Sequence, residues 1–408
     1  MITRNLSRHN VSGRRNVTRI AGALLLLALG LGGMTACNDT GDSGAKSGRA
    51  GADCPLAVDT EGWRVFRTLG DRIMSDDTPT MEELKGFGNT TAARTWRHSM
   101  RPANLTSGNL GNWIFAAFPD ELGEQKLDKP MSYRASMSSS YRFSYDQRAT
   151  IDSMLAVVTN PDTLCNLYHR LQAWVEPDSL PAEVALTFLP AKASLVFYSD
   201  TLLVDTGVLA AGGVRQTFNQ ILGSGYRNFE VPYNKNPLEC QGAEAVVESW
   251  RRIRGDGIAA YLEGRSDTYF GNQHPKLKGF SILPVDIIQA ADKLANLSEA
   301  TLAKVLVDST TLATSGSGYA RAIFAGGGFD QLGYAMAATI AGNLGRDQLR
   351  QAAFRTRDFV TAYQAAAASN PVPRPEPGAA DYPWYASMRP LPPQVFADLV
   401  QLLDREGR

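Results

Sequence analysis

From Glu183 onward, apolar and polar residues alternate: Val184, Leu186 and Phe188 fall on one face, Glu183, Ala185 and Thr187 on the other. A period of two is the pattern of a strand with one face buried. Two more short apolar runs follow at close spacing, Leu195-Val196-Phe197-Tyr198 and Leu202-Leu203-Val204. Together they predict one small sheet, antiparallel or mixed. The period then changes. Val214, Phe218, Ile221 and Leu222 recur at i, i+4, i+7 and i+8, so the chain passes from strand through a loop into an amphipathic helix over 212–222.

Helical spacing also joins Trp63, Phe66, Leu69 and Ile73, and Thr80-Met81-Glu82-Glu83 after Pro79 has the pattern of a capping box opening a second helix. Residues 150–158 and 163–174 predict two helices separated at Asn160-Pro161. Between 104 and 145, Trp113, Ile114, Phe115 and Phe118 are expected in the core, and 136–140, rich in serine, is expected as a loop. Beyond the strands the pattern is helical over 242–254, 286–297, 299–306, 329–343, 347–354, 358–368 and 393–403. The proline-rich stretch 370–393, with Tyr382, Trp384 and Tyr385, is expected to wrap over the domain rather than to link two. There is no internal repeat. The fold class is α+β and predominantly helical, a small sheet followed by a helical bundle, in one domain over 55–408.

Composition changes this picture at the N-terminus. Arg4, Arg8, Arg14, Arg15 and Arg19 precede an apolar run over 20–31 that is short for a bilayer span. The run ends at Met34-Thr35-Ala36-Cys37, which resembles a bacterial lipobox. Residues 1–36 then read as a lipoprotein signal peptide. Residues 37–54 read as a lipidated Cys37 and a flexible tether. The expected address is the cell envelope, anchored by lipid in the outer membrane, since Asn38 does not retain a lipoprotein under the usual aspartate rule. The 408 residues hold 41 basic and 41 acidic side chains; without the leader's five arginines, 36 face 41, a formal charge of −5. A mildly acidic chain without a basic cluster argues against nucleic acid as a partner. Cys54, Cys165 and Cys240 allow one disulfide and one free thiol in any of three pairings, and none is spaced as a CxxC metal motif.

Candidate chemistry sits on the helix after the last strand. Its polar face carries Gln216 and Gln220, four apart, with Thr217 beside the first. A second landmark is Arg254-Gly255-Asp256-Gly257-Ile258-Ala259-Ala260, after a helix with Val246, Val247, Trp250 and Ile253 on one face. A third is Leu332-Gly333-Tyr334-Ala335-Met336-Ala337. In this order, over 183–368, the landmarks resemble a bacterial gluzincin-like zinc metallopeptidase domain. The resemblance implies an HExxH helix after a strand, a Glu-Gly-x-Ala helix supplying the third ligand, and a Gly-x-x-Met-Ala helix behind. On those positions Gln216 and Gln220 stand for the histidines, Thr217 for the catalytic glutamate and Asp256 for the ligand glutamate. A catalytic zinc needs three good donors and a general base. Carboxamides are poor donors, and a threonine hydroxyl accepts no proton near neutral pH. The resemblance therefore implies a non-catalytic domain without metal or other cofactor. Its cleft, bounded by Gln216, Gln220, Asp256, Tyr334 and Met336, would bind a peptide or protein.

Other readings stand beside this one. Gln216 and Gln220 also fit the solvated face of an amphipathic helix, and Asp256, between two glycines, fits a helix cap. Arg254-Gly255-Asp256 matches a cell-attachment tripeptide, a match that arises often by chance, here at an expected helix junction. His98, His169 and His274 are not paired at i, i+4 and read as surface or satisfied core residues. No G-x-S-x-G elbow is present, and Gly326-Gly327-Gly328 lacks the lysine of a phosphate loop. A hydrolase with a carboxylate-based site stays open, because carboxylate separation is a spatial fact. A purely structural or assembly lipoprotein is the third class.

Overall fold

Four short strands, β1 (Leu56–Asp59), β2 (Val184–Leu189), β3 (Val196–Tyr198) and β4 (Thr201–Asp205), pair in the order β1-β2-β4-β3. In the computed structural model, the described residues are 54–99, 133–181, 183–191, 196–198, 200–231, 235–264, 284–326, 328–369 and 388–406, with Leu110, Ile114, Ala117 and Phe118. The strand β1 pairs parallel with β2, Leu56 opposite Val184, and β2 pairs parallel with β4, Leu186 opposite Leu202. Only β3 runs antiparallel, against β4. The sheet is therefore mixed, and its first strand lies outside the three predicted runs.

A parallel pair needs a crossover. Between β1 and β2 the chain forms α1 (Glu61–Ile73), α2 (Met81–Gly88), α3 (Thr91–Ser99), α4 (Tyr133–Asp146), α5 (Arg148–Val158) and α6 (Pro161–Gln172). The crossover covers the sheet closely enough that Thr187 is as buried as Leu186 and Phe188 on either side of it. The Thr80 capping box is formed, Thr80 N–H donating to Glu83 Oε2 at 2.7 Å and Glu83 N–H to Thr80 Oγ1 at 3.3 Å. Asn160 caps α6 by accepting from Asp162 N–H at 3.0 Å, with Pro161 at the first helical position. The core here is aromatic: Phe66 meets Tyr141 edge to face with ring centroids 5.2 Å apart, and Phe87 packs beside them.

After β4 follow α7 (Thr206–Gly225), a π-turn (Tyr226–Glu230), α8 (Gly242–Glu263), α9 (Pro284–Val305), α10 (Ser309–Gly326), α11 (Phe329–Leu344), α12 (Arg346–Ala352), α13 (Thr356–Ser369) and α14 (Pro393–Glu406). All described residues fall in one compact unit, Ala50–Arg408. Among them, no helix is long and apolar enough to cross a membrane.

Several expectations need correcting. Residues 136–140 belong to α4, not to a loop; Ser138 and Ser140 are buried, and Ser144 accepts from the Thr206 hydroxyl at 3.3 Å. Serine favours loops by local competition for backbone hydrogen bonds, but its small side chain suits a helix pressed against α7. The segments 286–297 and 299–306 are one helix. Ser298 at the expected break is buried and shares a 2.8 Å hydrogen bond with the Tyr319 hydroxyl. The helix α10, rich in Ser, Thr and Gly, lies outside the expected helical segments; Asp308 caps it by accepting from Thr311 N–H at 2.7 Å, which holds the Asp308 carboxyl below its usual range. Cys54 belongs to the folded domain rather than the tether, because it is bonded to Cys165 with Cα atoms 5.3 Å apart; Cys240 is the free, buried thiol. Cys37 and the rest of 1–53, Trp113, Phe115, His274, Gly327, Tyr382, Trp384 and Tyr385 lie outside the described residues.

The helix α8 is the axis of the helical half. At Gly257 and Gly333 its backbone touches that of α11: a Cβ on Gly333 would sit 1.8 Å from the Ile253 carbonyl oxygen, and one on Gly257 2.1 Å from the Gly333 carbonyl carbon. No rotamer change relieves a clash with backbone. Gly333→Ala is expected to destabilise the domain by about 3 kcal/mol, read as a lowered urea midpoint. Gly318→Ala, on the open side of α10 with nothing within 4 Å, should be neutral or stabilising. Equal midpoints for the two variants would contradict this account of the α8–α11 contact.

Candidate functional site

The strand β4 ends at Asp205, a buried residue whose Oδ1 accepts from Gly207 N–H at 2.8 Å and from Ala191 N–H at 3.3 Å. That carboxylate caps α7 directly, so the expected loop between strand and helix is replaced by a helical turn. The break comes later, at Gly213, where φ of 69° and ψ of −179° interrupt the helix. Glycine reaches such a positive φ without a Cβ clash. The second half of α7 then carries the predicted apolar face, Phe218, Ile221 and Leu222 buried and Val214 half-buried.

Arg215 is exposed, but Gln216, Thr217 and Gln220 do not stand in open solvent. The Thr217 side chain is fully buried, and its hydroxyl donates to the Gly213 carbonyl at 2.9 Å. Gln216 is half-buried and donates through Nε2 to the carbonyl of Glu263 at 2.9 Å. Glu263 ends α8, so the amide occupies one of the carbonyls that a helix C-terminus leaves without an intrahelical partner. Gln220, one turn on, has a buried Oε1 without a hydrogen-bond partner. One turn further, a Cβ on Gly223 would lie 2.4 Å from the Ala259 carbonyl oxygen. The helices α7 and α8 thus form an antiparallel seam, with Gln216 at the Glu263 end.

The seam is also ionic. Arg227, in the π-turn after α7, pairs with Asp256 Oδ1 at 3.0 Å and with Glu263 Oε1 at 3.3 Å. Asp256 lies inside α8, not at a helix junction, and is only 18% exposed. Neither the cap role for Asp256 nor an accessible Arg254-Gly255-Asp256 tripeptide survives this placement. Tyr334 is half-buried on α11, next to the Gly257–Gly333 contact. Met336 is in the core and lines a recess of ≈ 20 Å³ whose walls include no residue of α7. That is the room of about one water molecule. The cleft expected between Gln216, Gln220, Asp256, Tyr334 and Met336 is therefore divided, with Met336 on a separate wall.

No three His, Cys, Asp or Glu side chains among the described residues are grouped to hold a metal ion. His98 and His169 are exposed, His169 sharing a 3.1 Å hydrogen bond with Gln172.

A larger cavity, ≈ 740 Å³, lies elsewhere, between α8, the α12–α13 junction and α14. Its wall holds Arg251 and Arg254 from α8 with Arg355 and Arg357 at the start of α13. Two segments far apart in sequence each contribute a pair of arginines here, beside the carboxylates of Asp358 and Asp404. The signal was present as Arg251-Arg252 with Arg254, and as Arg355-Thr356-Arg357, but nothing in either segment shows that they meet. No protein-family model, curated protein or solved structure matches this chain.

Arg227 neutralises two partly buried carboxylates on one helix, and removing it leaves both facing a shared seam. Arg227→Met is expected to lower stability by about 2 kcal/mol, and Asp256→Asn by about half of that. Urea denaturation monitored by circular dichroism reads both. An Asp256→Asn loss larger than that of Arg227→Met would contradict the assigned geometry.

Proposed function

We propose that this chain is a lipid-anchored lipoprotein of the bacterial cell envelope, at the outer membrane, whose domain descends from a zinc metallopeptidase and binds a peptide or protein without cutting it. One observation carries the non-catalytic part. The side chains at the first two positions of the degenerate motif are committed to backbone: Gln216 to the Glu263 carbonyl and Thr217 to the Gly213 carbonyl. A general base has to reach a water molecule, and Thr217 is both buried and without a basic atom. A third ligand has to turn a lone pair toward the ion, whereas Asp256 pairs with Arg227. The order of strand, degenerate helix and following helices supports the ancestry. The Arg-rich leader and the Met34-Thr35-Ala36-Cys37 motif support the anchor.

Two measurements test the reading. Zinc analysis of the purified intact protein should find far less than one ion per chain, with no cleavage of unfolded protein substrates, while retention on an immobilised peptide library shows binding. Stoichiometric zinc accompanied by peptidase activity would overturn it. Palmitate labelling of the expressed protein should be lost in Cys37→Ala, which then leaves the membrane fraction; labelling that survives the substitution would remove the anchor.

A further inference from the structure

Arg254 is 6% exposed and lines the ≈ 740 Å³ cavity. Its Nη1 donates to the Ala353 carbonyl at 2.7 Å, and its Nε has no acceptor. Among the described residues, no carboxylate lies within ion-pairing distance of it. The Glu230 carboxyl is near enough to feel the Arg254 charge but does not pair with it. A guanidinium cannot shed its proton to escape burial, so a desolvated arginine with no directly paired carboxylate gains from an anion that reaches its free N–H groups. Other cations on the wall are already matched: Arg357 pairs with Asp404 at 3.0 Å, and Arg251 with Glu248 at 2.6 Å. Arg355 is exposed and makes no ion pair with a described residue.

The cavity adds two features. It opens at the N-terminus of α13, a 14-residue helix whose first-turn N–H groups lack intrahelical acceptors. Its apolar wall comes from Val247, Phe354 and Leu403. Asp358, in the first turn of α13, also lines it and disfavours an anion on its own side. That places the negative group of a ligand toward Arg254 and Arg355. The volume is that of a site for a small organic molecule.

We propose that this cavity binds a small organic oxyanion, a carboxylate or a phosphate, held by Arg254 and Arg355 with its carbon skeleton against Phe354 and Leu403. The site stands apart from the Gln216–Gln220 seam and does not depend on the metallopeptidase ancestry.

Titration calorimetry of the intact protein with inorganic phosphate and, separately, with succinate, each against chloride at matched ionic strength, tests it. At least one oxyanion should show a single saturable site. Arg355→Ala should weaken it by about tenfold or more, and Arg254→Met should abolish it. Arg254→Met is expected to fold, because the Ala353 carbonyl keeps its 2.7 Å hydrogen bond from the buried Tyr226 hydroxyl. If that variant does not fold, Arg355→Ala alone decides, since its side chain is on the surface. The tighter of the two oxyanions separates phosphate from carboxylate recognition. No saturable binding of either, or an unchanged affinity in Arg355→Ala, would overturn the proposal.

Discussion

Gly257 on α8 and Gly333 on α11 let two helix backbones meet with no side chain between them, and the helical half is arranged around that contact. Gly223 brings α7 onto α8 in the same way, and Gly316 of α10 meets Gly242 at the start of α8. Backbones this close leave little freedom to their neighbours: Ile253 and Ile258 on α8 and Leu332 on α11 are all buried in one continuous core. Close packing then transmits any change in volume at these points, because interiors have few voids to absorb it.

A helix covered on so many sides cannot leave its polar groups to water. Glu248, Ser249, Arg254 and Glu263 are all buried on α8. Ser249 donates to the Ala245 carbonyl, Glu248 pairs with Arg251, and Glu263 pairs with Arg227. Arg254 differs: it donates to the Ala353 carbonyl and, among the described residues, forms no ion pair. Burial is also the chief reason that Glu230, whose carboxyl feels the Arg254 charge, titrates above its usual range, with that charge pulling it down. The two arginines near this helix therefore have opposite environments. Arg227 is paired directly with two carboxylates, while Arg254 has only the more distant Glu230 and lines a cavity.

Much of the fold was legible along the chain. The strand through Val184, Leu186 and Phe188, the Thr80 box and the Asn160-Pro161 boundary all stand where the pattern placed them, although Thr187 on the strand's other face is buried too. The failures share a cause. The strand β1 is four residues long and becomes a strand only by pairing with β2. The serines of α4 and the Ser, Thr and Gly residues of α10 weaken helices locally, yet small side chains are what allow those helices to approach their neighbours. The candidate seam was half legible. The i, i+4 spacing of Gln216 and Gln220 correctly put both on one face, but that face meets α8 rather than solvent.

Local order was written in the residues themselves, because a period of two or 3.6, a capping side chain or a proline acts within a few positions of where it stands. Partnership was not. Whether Gln216 met a metal, water or the Glu263 carbonyl, whether Cys54 joined Cys165, and whether an arginine met two carboxylates or a backbone carbonyl depended on which distant segment lay opposite. Arg227 and Arg254 are the same residue in unremarkable local sequence, and their difference arises only where the helices cross.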